Sequence, residues 1–359
     1  MRIVAKIGTA SITDDNGAID VAAISRLADE VATLRGRGDE VVIVSSGAVA
    51  AGVAALGMPS RPADMATIQA VSAVGQSRLV EAYNVEFARH GLVGAQLLVD
   101  PFDFVYREQY LHLRQTMKRL LELGVVPVVN ENDAIANDEL RYGDNDRIAA
   151  LIANSVGADV LVLLTDMDGV FTADPRRDST ATLIPFVRSD DPLLSISADA
   201  GGSGRGSGGM ASKLTSARMA SWSGIRSVIA RASRPGVLAG SAQNELVGTT
   251  FEPHTRTLSA RKLWIAFAAD IAGSIVVDDG ARRALTDRPN SLLPAGVVRV
   301  EGAFETGHVV RIVDGTGEEF GRGISSMSAG TVTAAVGRRT SELPDGRSHV
   351  IHRDDLVIV

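Results

Sequence analysis

The sequence predicts an α/β protein with a mostly parallel open sheet sandwiched by helices, followed by a small β-rich, barrel-like domain. In the first two thirds of the 359 residues, short apolar runs alternate with longer helical patterns, which is typical of right-handed crossovers between parallel strands. The apolar runs are continuous, as expected of strands covered on both faces. After about Val247, short β-branched runs between glycine and proline turns replace this pattern.

The elements of the first region follow from these runs in chain order. The predicted strands are rich in β-branched residues and lie at Ile3–Ala5, Val41–Ser45, Val93–Leu98, Val125–Val129 and Val160–Thr165. Helices are predicted between them at about Val21–Arg35, Asp64–Arg89, Arg107–Leu123, Asn145–Val156 and Ser212–Ser223.

The last third begins with a predicted connection, Gly248–Arg261, which has little helical period. One short helix is predicted near Asp279–Thr286. The predicted short strands are Ser274–Val277, Val297–Val300, Val309–Val313, Val332–Ala335 and Leu356–Val359. We therefore predict two domains, a catalytic domain at residues 1–255 and a second domain at 271–359.

Composition excludes some chemistry. There is no cysteine, so disulfides, thiolate metal sites and a cysteine nucleophile are ruled out. The net charge of −7 argues against general affinity for nucleic acids. Neither a signal peptide nor an apolar stretch of transmembrane length is recognisable, so we predict a cytoplasmic protein without a membrane segment.

Polar and glycine residues gather where the predicted strands end. These positions are KIGT at 6–9, SSG at 45–47, NEND at 130–133 and TD at 165–166. In open parallel sheets, ligands bind beyond the carboxyl ends of the strands. The coincidence predicts a catalytic domain with its site at this edge.

The glycine-rich run GGSGRGSGGMASK at 201–213 is the most informative single motif. Glycines let backbone N–H groups approach an anion, and a helix that begins near Gly209 adds its positive end. Lys213 in the first turn can then reach a phosphate. The run is not a Walker A loop, because Leu214 stands where Ser or Thr is required. By composition alone a flexible linker is the other interpretation.

The remaining motifs each admit a simpler interpretation when taken alone. Lys6 at a strand end can point into a ligand crevice or be a solvated charge, and the serines at 45–46 can bind an anion or cap a helix. The segment NENDAIANDELRYGDND at 130–146 can hold an amino acid through amides and carboxylates, or be a solvated acidic loop. A calcium loop does not fit its spacing. The turn TDMDGV at 165–170 can contact a nucleotide or be an ordinary turn.

Taken together, these motifs resemble the amino acid kinase family. The matching segments are VAKIGT at 4–9, VSSGAVAAG at 44–52, AVGQSRL at 73–79, PVVNENDA at 127–134, GDND at 143–146, LLTDMDGVFTADPR at 163–176 and GSGGMASK at 206–213. Beyond residue 270, SLLPAG at 291–296, GAFETGHVVRI at 302–312 and VIHRDDLVI at 350–358 resemble the PUA domain that many family members carry. The pair NEND and GDND resembles the branch of the family that phosphorylates L-glutamate.

The resemblance implies transfer of the ATP γ-phosphoryl group to the side-chain carboxylate of L-glutamate, with Mg²⁺ bridging the phosphates and no dedicated protein cage for the metal. It implies catalytic roles for Lys6, Lys213 and Asp146, the last holding both lysines. It implies L-glutamate contacts at Ser46, Asp133 and Asn145. The nucleotide positions that it implies are Lys6, Gly8, Thr165, Asp166, Ser207, Gly208, Gly209, Met210, Ala211, Ser212 and Lys213.

The sequence also leaves two alternative functions open and suggests self-association. A kinase of this fold with another acceptor is one alternative activity, and RNA binding through the PUA domain is another. Residues 271–359 contain ten arginines, no lysine and twelve acidic residues, which favours a structural or regulatory module over an RNA surface. The resemblance also implies self-association, for which the apolar-faced pattern at Asp64–Arg89 is a candidate interface.

Overall fold

The computed structural model describes residues 1–14, 16–100, 102–135, 145–195, 209–255, 257–338 and 349–358. The chain divides into two compact units, Met1–Leu258 and Ser259–Val359. The first contains a mostly parallel sheet with helices on both faces, and the second contains its own strand-rich sheet. The predicted fold class is confirmed.

The sheet of the first unit has the strand order β3-β4-β2-β1-β5-β7-β8-β6. Its neighbouring strands pair in parallel, except that β7 and β8 are antiparallel. The strands are β1 (Arg2–Ile7), β2 (Glu40–Ser45), β3 (Gly94–Val99), β4 (Val126–Glu131), β5 (Val160–Thr165), β6 (Phe186–Val187), β7 (Arg226–Arg231) and β8 (Thr249–Phe251).

The helices of this unit connect the strands and cover the sheet. They are α1 (Val21–Gly36), α2 (Ala48–Ala55), α3 (Met65–Ala88), α4 (Phe102–Val105), α5 (Arg107–Glu122), α6 (Asn145–Val156), α7 (Met210–Trp222) and α8 (Val237–Ala242). Asp20 and Asp64 begin α1 and α3 by accepting hydrogen bonds from Ala23 N and Thr67 N, which satisfies amides that lack intrahelical partners.

The central strand β1 shows how the sheet positions a functional side chain. Ala5 and Ile7 point into the apolar core formed with α1, α3 and α8. Because successive side chains of a strand point to opposite faces, Lys6 lies on the other face of the sheet. Its β-sheet partners are Val44 on β2 and Leu163 on β5. Lys6 therefore occupies the middle of the sheet at its carboxyl edge.

The second unit contains a five-stranded sheet in the order β10-β9-β11-β12-β13. Its core is apolar and includes Ile275, Val310 and Ile312. Its strands are β9 (Ile271–Val277), β10 (Val297–Gly302), β11 (Val309–Val313), β12 (Glu319–Ile324) and β13 (Leu356–Ile358), and its helices are α9 (Ala260–Leu263), α10 (Asp279–Asp287) and α11 (Ala329–Ala335).

One predicted strand in this unit is wrong. Residues Val332–Ala335 lie in helix α11, which begins after Ser328, whose hydroxyl accepts a hydrogen bond from Thr331 N. The β-branched residues favoured a strand, but Val332 and Ala335 are three apart and lie buried on one face of the helix. Burial of that face and the serine cap outweigh the local preference.

The predicted connection Gly248–Arg261 also contains structure that its sequence did not indicate. Thr249–Phe251 form β8, and their neighbours in the sheet are β7 and β6.

In the described residues, no helix is both long enough and apolar enough to cross a membrane.

Helices α2 and α3 approach each other so closely that two glycines are required. A Cβ atom on Gly75 would lie 1.7 Å from the carbonyl oxygen of Ala48, and one on Gly52 would lie 2.0 Å from the carbonyl oxygen of Val71. Both contacts are with backbone atoms, which cannot move aside without separating the helices. The position of α3 is thereby set against the helix that follows β2.

We expect Gly75→Ala to lower the free energy of unfolding by about 3 kcal/mol, the upper end of the usual range for overpacking. Urea denaturation followed by circular dichroism measures this. Gly36→Ala, at a helix end with no atom within 4 Å of the added Cβ, is the matched control and should stabilise by at most about 1 kcal/mol. Equal stability of the two variants would contradict the close approach.

Candidate active site

The carboxyl ends of β1, β2, β4 and β5 meet along one edge of the sheet, because these strands are neighbours and parallel. Buried polar side chains follow each of these ends. A polar group buried in this way requires a partner, since burial without one costs free energy. The buried polar groups at this edge form a candidate site with two parts, a cluster of charged side chains and a network of amide side chains.

The cluster of charges consists of Lys6, Asp146 and Lys213. Lys6 Nζ lies 2.5 Å from Asp146 Oδ1, and Lys213 Nζ lies 2.9 Å from Asp146 Oδ2. The three side chains are buried, with exposed fractions of 4%, 7% and 0% for Lys6, Lys213 and Asp146. Strand β1, the first turn of α6 and the first turn of α7 supply one residue each.

The pKa of Asp146 reflects two opposing effects. Burial disfavours the carboxylate and by itself raises the pKa, but the ammonium groups of Lys6 and Lys213 outweigh burial and hold the pKa below its ordinary value of 3.8. Asp146 is thus ionised at neutral pH. With two positive charges against one negative charge, the cluster carries net positive charge and suits a further anion.

The start of α7 places backbone and hydroxyl groups beside Lys213. Gly209 caps the helix with an extended backbone and without a side-chain hydrogen bond, and Met210 and Ala211 form its first turn. The buried hydroxyl of Ser212 has no hydrogen-bond partner among the described residues. A helix start with unpaired N–H groups is suited to phosphate. Ser207 and Gly208 lie outside the described residues.

Gly8 lies two residues after Lys6, and a Cβ atom at this position would lie 3.6 Å from Lys6 Nζ. The lysine ammonium therefore lies over the glycine turn rather than extending away from it. This places the Gly8 backbone beside the cluster of charges.

Thr165 and Asp166 stand at the end of β5, where the hydroxyl of Thr165 donates to Asp166 Oδ1 at 3.0 Å. Both border a cavity of about 430 Å³ that lies between α1 and α8. Its lining does not include Lys6, Asp146 or Lys213. The predicted nucleotide residues therefore occupy two places: the start of α7 beside the charges, and the end of β5 beside this cavity.

The predicted substrate residues Ser46 and Asn145 are in contact. Asn145 Nδ2 donates to the carbonyl oxygen of Ser45 at 2.7 Å and to Asn130 Oδ1 at 2.7 Å, with Ser46 Oγ at 3.1 Å. Asn145 Oδ1 is buried and has no hydrogen-bond partner in the described part of the chain. Since Asn145 directly precedes Asp146, the amides and the charges share the first turn of α6.

Asp133, the third predicted substrate residue, lies after β4 and accepts a hydrogen bond from Ser72 Oγ at 3.4 Å. Ser72 is on α3, one turn before Gln76, whose Nε2 donates to the carbonyl oxygen of Glu131 at 3.3 Å. Helix α3 thus holds the segment that carries Asp133 at two points.

Three residues of this site were not predicted from the sequence: Ser72, Gln76, and Gln96 on β3, whose Nε2 donates to Gln76 Oε1 at 3.2 Å. A signal was present, because Ser72 and Gln76 interrupt the mainly apolar buried stripe of α3 that includes Ile68, Leu79 and Tyr83. Polar residues in such a stripe need partners in the interior. Nothing in the sequence indicated that the partners would be β4 and its neighbours.

The chain belongs to the amino acid kinase family and is a kinase: residues 1–231 match that family, and residues 273–346 match the PUA domain. Proteins named glutamate 5-kinase are similar over the full chain. The one from Pelobacter propionicus is 41% identical over 100% of this chain and 97% of its own length. The one from Azoarcus sp. is 45% identical over 99% of this chain and 97% of its own length.

A solved structure supports the fold independently. The structure of an isopentenyl phosphate kinase from T. acidophilum, a product complex, matches 70% of this chain and 100% of its own with a TM-score of 0.51. At 19% sequence identity, this likeness shows the fold of the first unit, and it does not indicate which substrate accepts the phosphoryl group.

We expect Asp146→Asn to lower the free energy of unfolding by about 3–5 kcal/mol at pH 7, because it leaves two buried ammonium groups without their carboxylate. The pKa of Asp146 is lowered on folding, so its stabilisation is present above about pH 4 and is lost as the pH falls through the folded-state pKa. The difference between wild type and variant should therefore shrink below about pH 4, as measured by chemical denaturation at several pH values.

Asp168→Asn is the matched control for this prediction. Asp168 forms an ion pair with Arg231 at 2.6 Å, but 54% of the aspartate side chain is exposed. Pairs of this kind are worth at most about 1 kcal/mol. A similar loss in both variants would show that the burial of Asp146 has no special consequence.

Proposed function

We propose that this protein transfers the γ-phosphoryl group of ATP to the side-chain carboxylate of L-glutamate, forming L-glutamyl 5-phosphate and ADP, the first step towards proline. The single observation that carries the proposal is the convergence of Lys6 and Lys213 on the buried carboxylate of Asp146. The similarity over the full chain to proteins named glutamate 5-kinase supports glutamate as the acceptor.

The reaction suits a site without a general base. The acceptor carboxylate has an ordinary pKa of about 4.3, so it is ionised near pH 7 and has no proton to lose. One of its oxygens forms a bond to the γ-phosphorus while the bond from that phosphorus to the β,γ-bridging oxygen breaks, and ADP leaves with the electron pair. Catalysis then consists of alignment and of stabilisation of charge on the phosphoryl oxygens.

In this mechanism the two lysines stabilise the transferred group from different directions. Asp146 fixes both ammonium groups before the reaction, so that little reorganisation is needed as charge develops on the phosphoryl oxygens. Because Asp146 neutralises only one of the two positive charges, the cluster retains attraction for the phosphoryl group.

The acceptor would bind beside the charges at Ser46, Asp133 and Asn145. Asp133 and Asn145 Oδ1, which has no hydrogen-bond partner among the residues that the structure describes, would offer oxygens to the α-ammonium group. Since Asn145 and Asp146 are adjacent, this end of the substrate is held at a fixed distance from the lysines. The rest of the glutamate then extends its side-chain carboxylate towards them.

ATP would bind with its phosphates at the start of α7, near Ser212 and Lys213, and with Thr165 and Asp166 contacting the nucleoside. In the described residues, no group of three His, Asp or Glu side chains could hold a metal ion. We propose Mg·ATP as the substrate, with Mg²⁺ carried by the phosphates, where it would neutralise their charge and orient them.

For the PUA domain we propose a structural or regulatory role. Arg282 on α10 forms ion pairs with Asp314 and with Glu318, which lie in the turn between β11 and β12. An arginine bound to two carboxylates is a poor contact for a phosphate backbone. Salt-dependent retention of the full chain on structured RNA would overturn this assignment.

We expect ADP formation to be faster with L-glutamate than with L-aspartate, N-acetyl-L-glutamate or UMP, because the amides at the acceptor end suit a free amino acid. A coupled assay for ADP with each acceptor measures this, and trapping of the product with hydroxylamine identifies an acyl phosphate. Preference for UMP, or ADP formation without hydroxamate, would contradict the proposal.

We expect Lys213→Ala to lower kcat at least about a hundredfold, as for removal of one donor that stabilises a transition state. The measurement is steady-state kinetics at saturating ATP and L-glutamate. Lys118→Ala is the matched control, because 74% of its side chain is exposed on α5, and it should change kcat less than about twofold. Turnover at the wild-type rate in Lys213→Ala would remove this lysine from the mechanism.

A further inference from the structure

A chain of hydrogen bonds between amide side chains runs from the edge of the sheet to the acceptor end of the site. Gln96 Nε2 donates to Gln76 Oε1 at 3.2 Å, and Asn130 Nδ2 donates to the same oxygen at 3.4 Å. Asn130 Oδ1 then accepts from Asn145 Nδ2 at 2.7 Å. We call these four residues, Gln96, Gln76, Asn130 and Asn145, the amide relay.

Backbone groups identify which atoms of Asn130 and Gln76 are the oxygen and the nitrogen. The backbone N–H of Glu131 donates to Asn130 at 2.9 Å, so the Asn130 atom that faces it must be the oxygen. The opposite atom of Asn130, its nitrogen, faces Gln76, which must therefore present its oxygen. The nitrogen of Gln76 donates in turn to the carbonyl oxygen of Glu131, which agrees with this orientation.

The same reasoning applies to the last amide. The carbonyl oxygen of Ser45 can only accept, so the atom of Asn145 that lies 2.7 Å from it must be the nitrogen. The Asn130 oxygen accepts from that nitrogen as well. Asn145 Oδ1 is thereby the atom directed away from the relay, and it is buried without a hydrogen-bond partner among the described residues. A buried acceptor of this kind is costly unless a ligand donates to it.

Gln76 supports this orientation from the nitrogen side of Asn130, because its Oε1 accepts from Asn130 Nδ2. It is 6% exposed, and it contacts β3 through Gln96 and β4 through Asn130 and Glu131. Its backbone has little freedom, because the preceding residue is Gly75, whose α-carbon lies against the Ala48 carbonyl of α2. Without Gln76, Asn130 Nδ2 would lose this acceptor, and the Asn130 amide would be held through its oxygen alone, by Glu131 N–H and Asn145 Nδ2.

We propose that Gln76 is a positioning residue for the acceptor substrate: through Asn130 it holds the Asn145 amide with Oδ1 directed at the α-ammonium group. This inference rests on the proposed function, since it names the group that Oδ1 receives. Gln76 itself does not touch the substrate. Its effect is on acceptor binding and not on the nucleotide, because the relay ends at Asn145 and does not include Lys213 or the start of α7.

Gln76→Met tests the proposal in the full chain, because methionine keeps the length of the side chain but forms at most weak hydrogen bonds. We expect the KM for L-glutamate to rise at least about tenfold, as for loss of a hydrogen bond to a charged group. The KM for ATP should change less than about twofold, as for a residue remote from the nucleotide. Steady-state kinetics with each substrate varied in turn measures both.

Two matched variants separate positioning from general loss of stability. Leu79→Val alters the same buried stripe of α3 without touching an amide, and it should leave the ratio of the two KM values unchanged. Gln96→Met makes the same kind of substitution at the outer end of the relay, where only one hydrogen bond joins Gln76. Its effect on the KM for L-glutamate should be smaller than that of Gln76→Met.

The outcomes distinguish this inference from the proposed function. A wild-type enzyme that does not phosphorylate L-glutamate overturns the proposed function. If the wild type does so, but Gln76→Met leaves the KM for L-glutamate within twofold or raises both KM values together, only the role of Gln76 is overturned. Should Gln76→Met fail to fold, Asn130→Asp decides, because it removes the donor to Gln76 Oε1 but keeps an oxygen for Glu131 N–H and for Asn145 Nδ2. A selective rise in the KM for L-glutamate again supports the inference, and an unselective change or none overturns it.

Discussion

The buried carboxylate of Asp146 is the interaction on which the rest of the site depends. Two lysine ammonium groups with almost no solvent exposure share one carboxylate, which neutralises part of their charge. The arrangement also ties three elements together, since β1, α6 and α7 each supply one member. A displacement of any of these elements leaves a charge without its partner inside the protein.

The two polar clusters at the edge of the sheet differ in the chemistry they support. Charges surround the place proposed for the transferred phosphoryl group, where charge moves during the reaction. Neutral amides surround the place proposed for the acceptor substrate. There the protein has to recognise hydrogen-bonding groups of the substrate whose positions are fixed. The adjacent residues Asn145 and Asp146 join the two clusters, so the first turn of α6 sets the distance between recognition and chemistry.

Strands with a strong local sequence signal were predicted well, whereas elements that depend on a cap or on pairing with distant segments were wrong or missed. Predicted strands such as Val160–Thr165 and Val309–Val313 have the bounds that the structure shows, because continuous or β-branched apolar runs are local signals. Val332–Ala335 was wrong, because a four-residue run says little about the serine cap and buried face that favour a helix. The short strand β8 was missed because Thr249–Phe251 is a strand only through its pairing with β7 and β6.

The fold class, most of the strands and helices, and the polar residues at the strand ends could be predicted from the sequence, since they follow from periodicity and residue type; the strands β7 and β12 were not predicted. The tertiary structure alone decided which groups meet: Lys6 and Lys213 are 207 positions apart in the sequence, yet contact the same carboxylate. It also brought Gln76, a polar residue in a mainly apolar stripe of α3, into contact with the amides of Gln96 on β3 and Asn130 on β4. Contacts between distant segments depend on the order of the strands in the sheet and on how closely the helices pack against it. Neither can be predicted from a local sequence pattern.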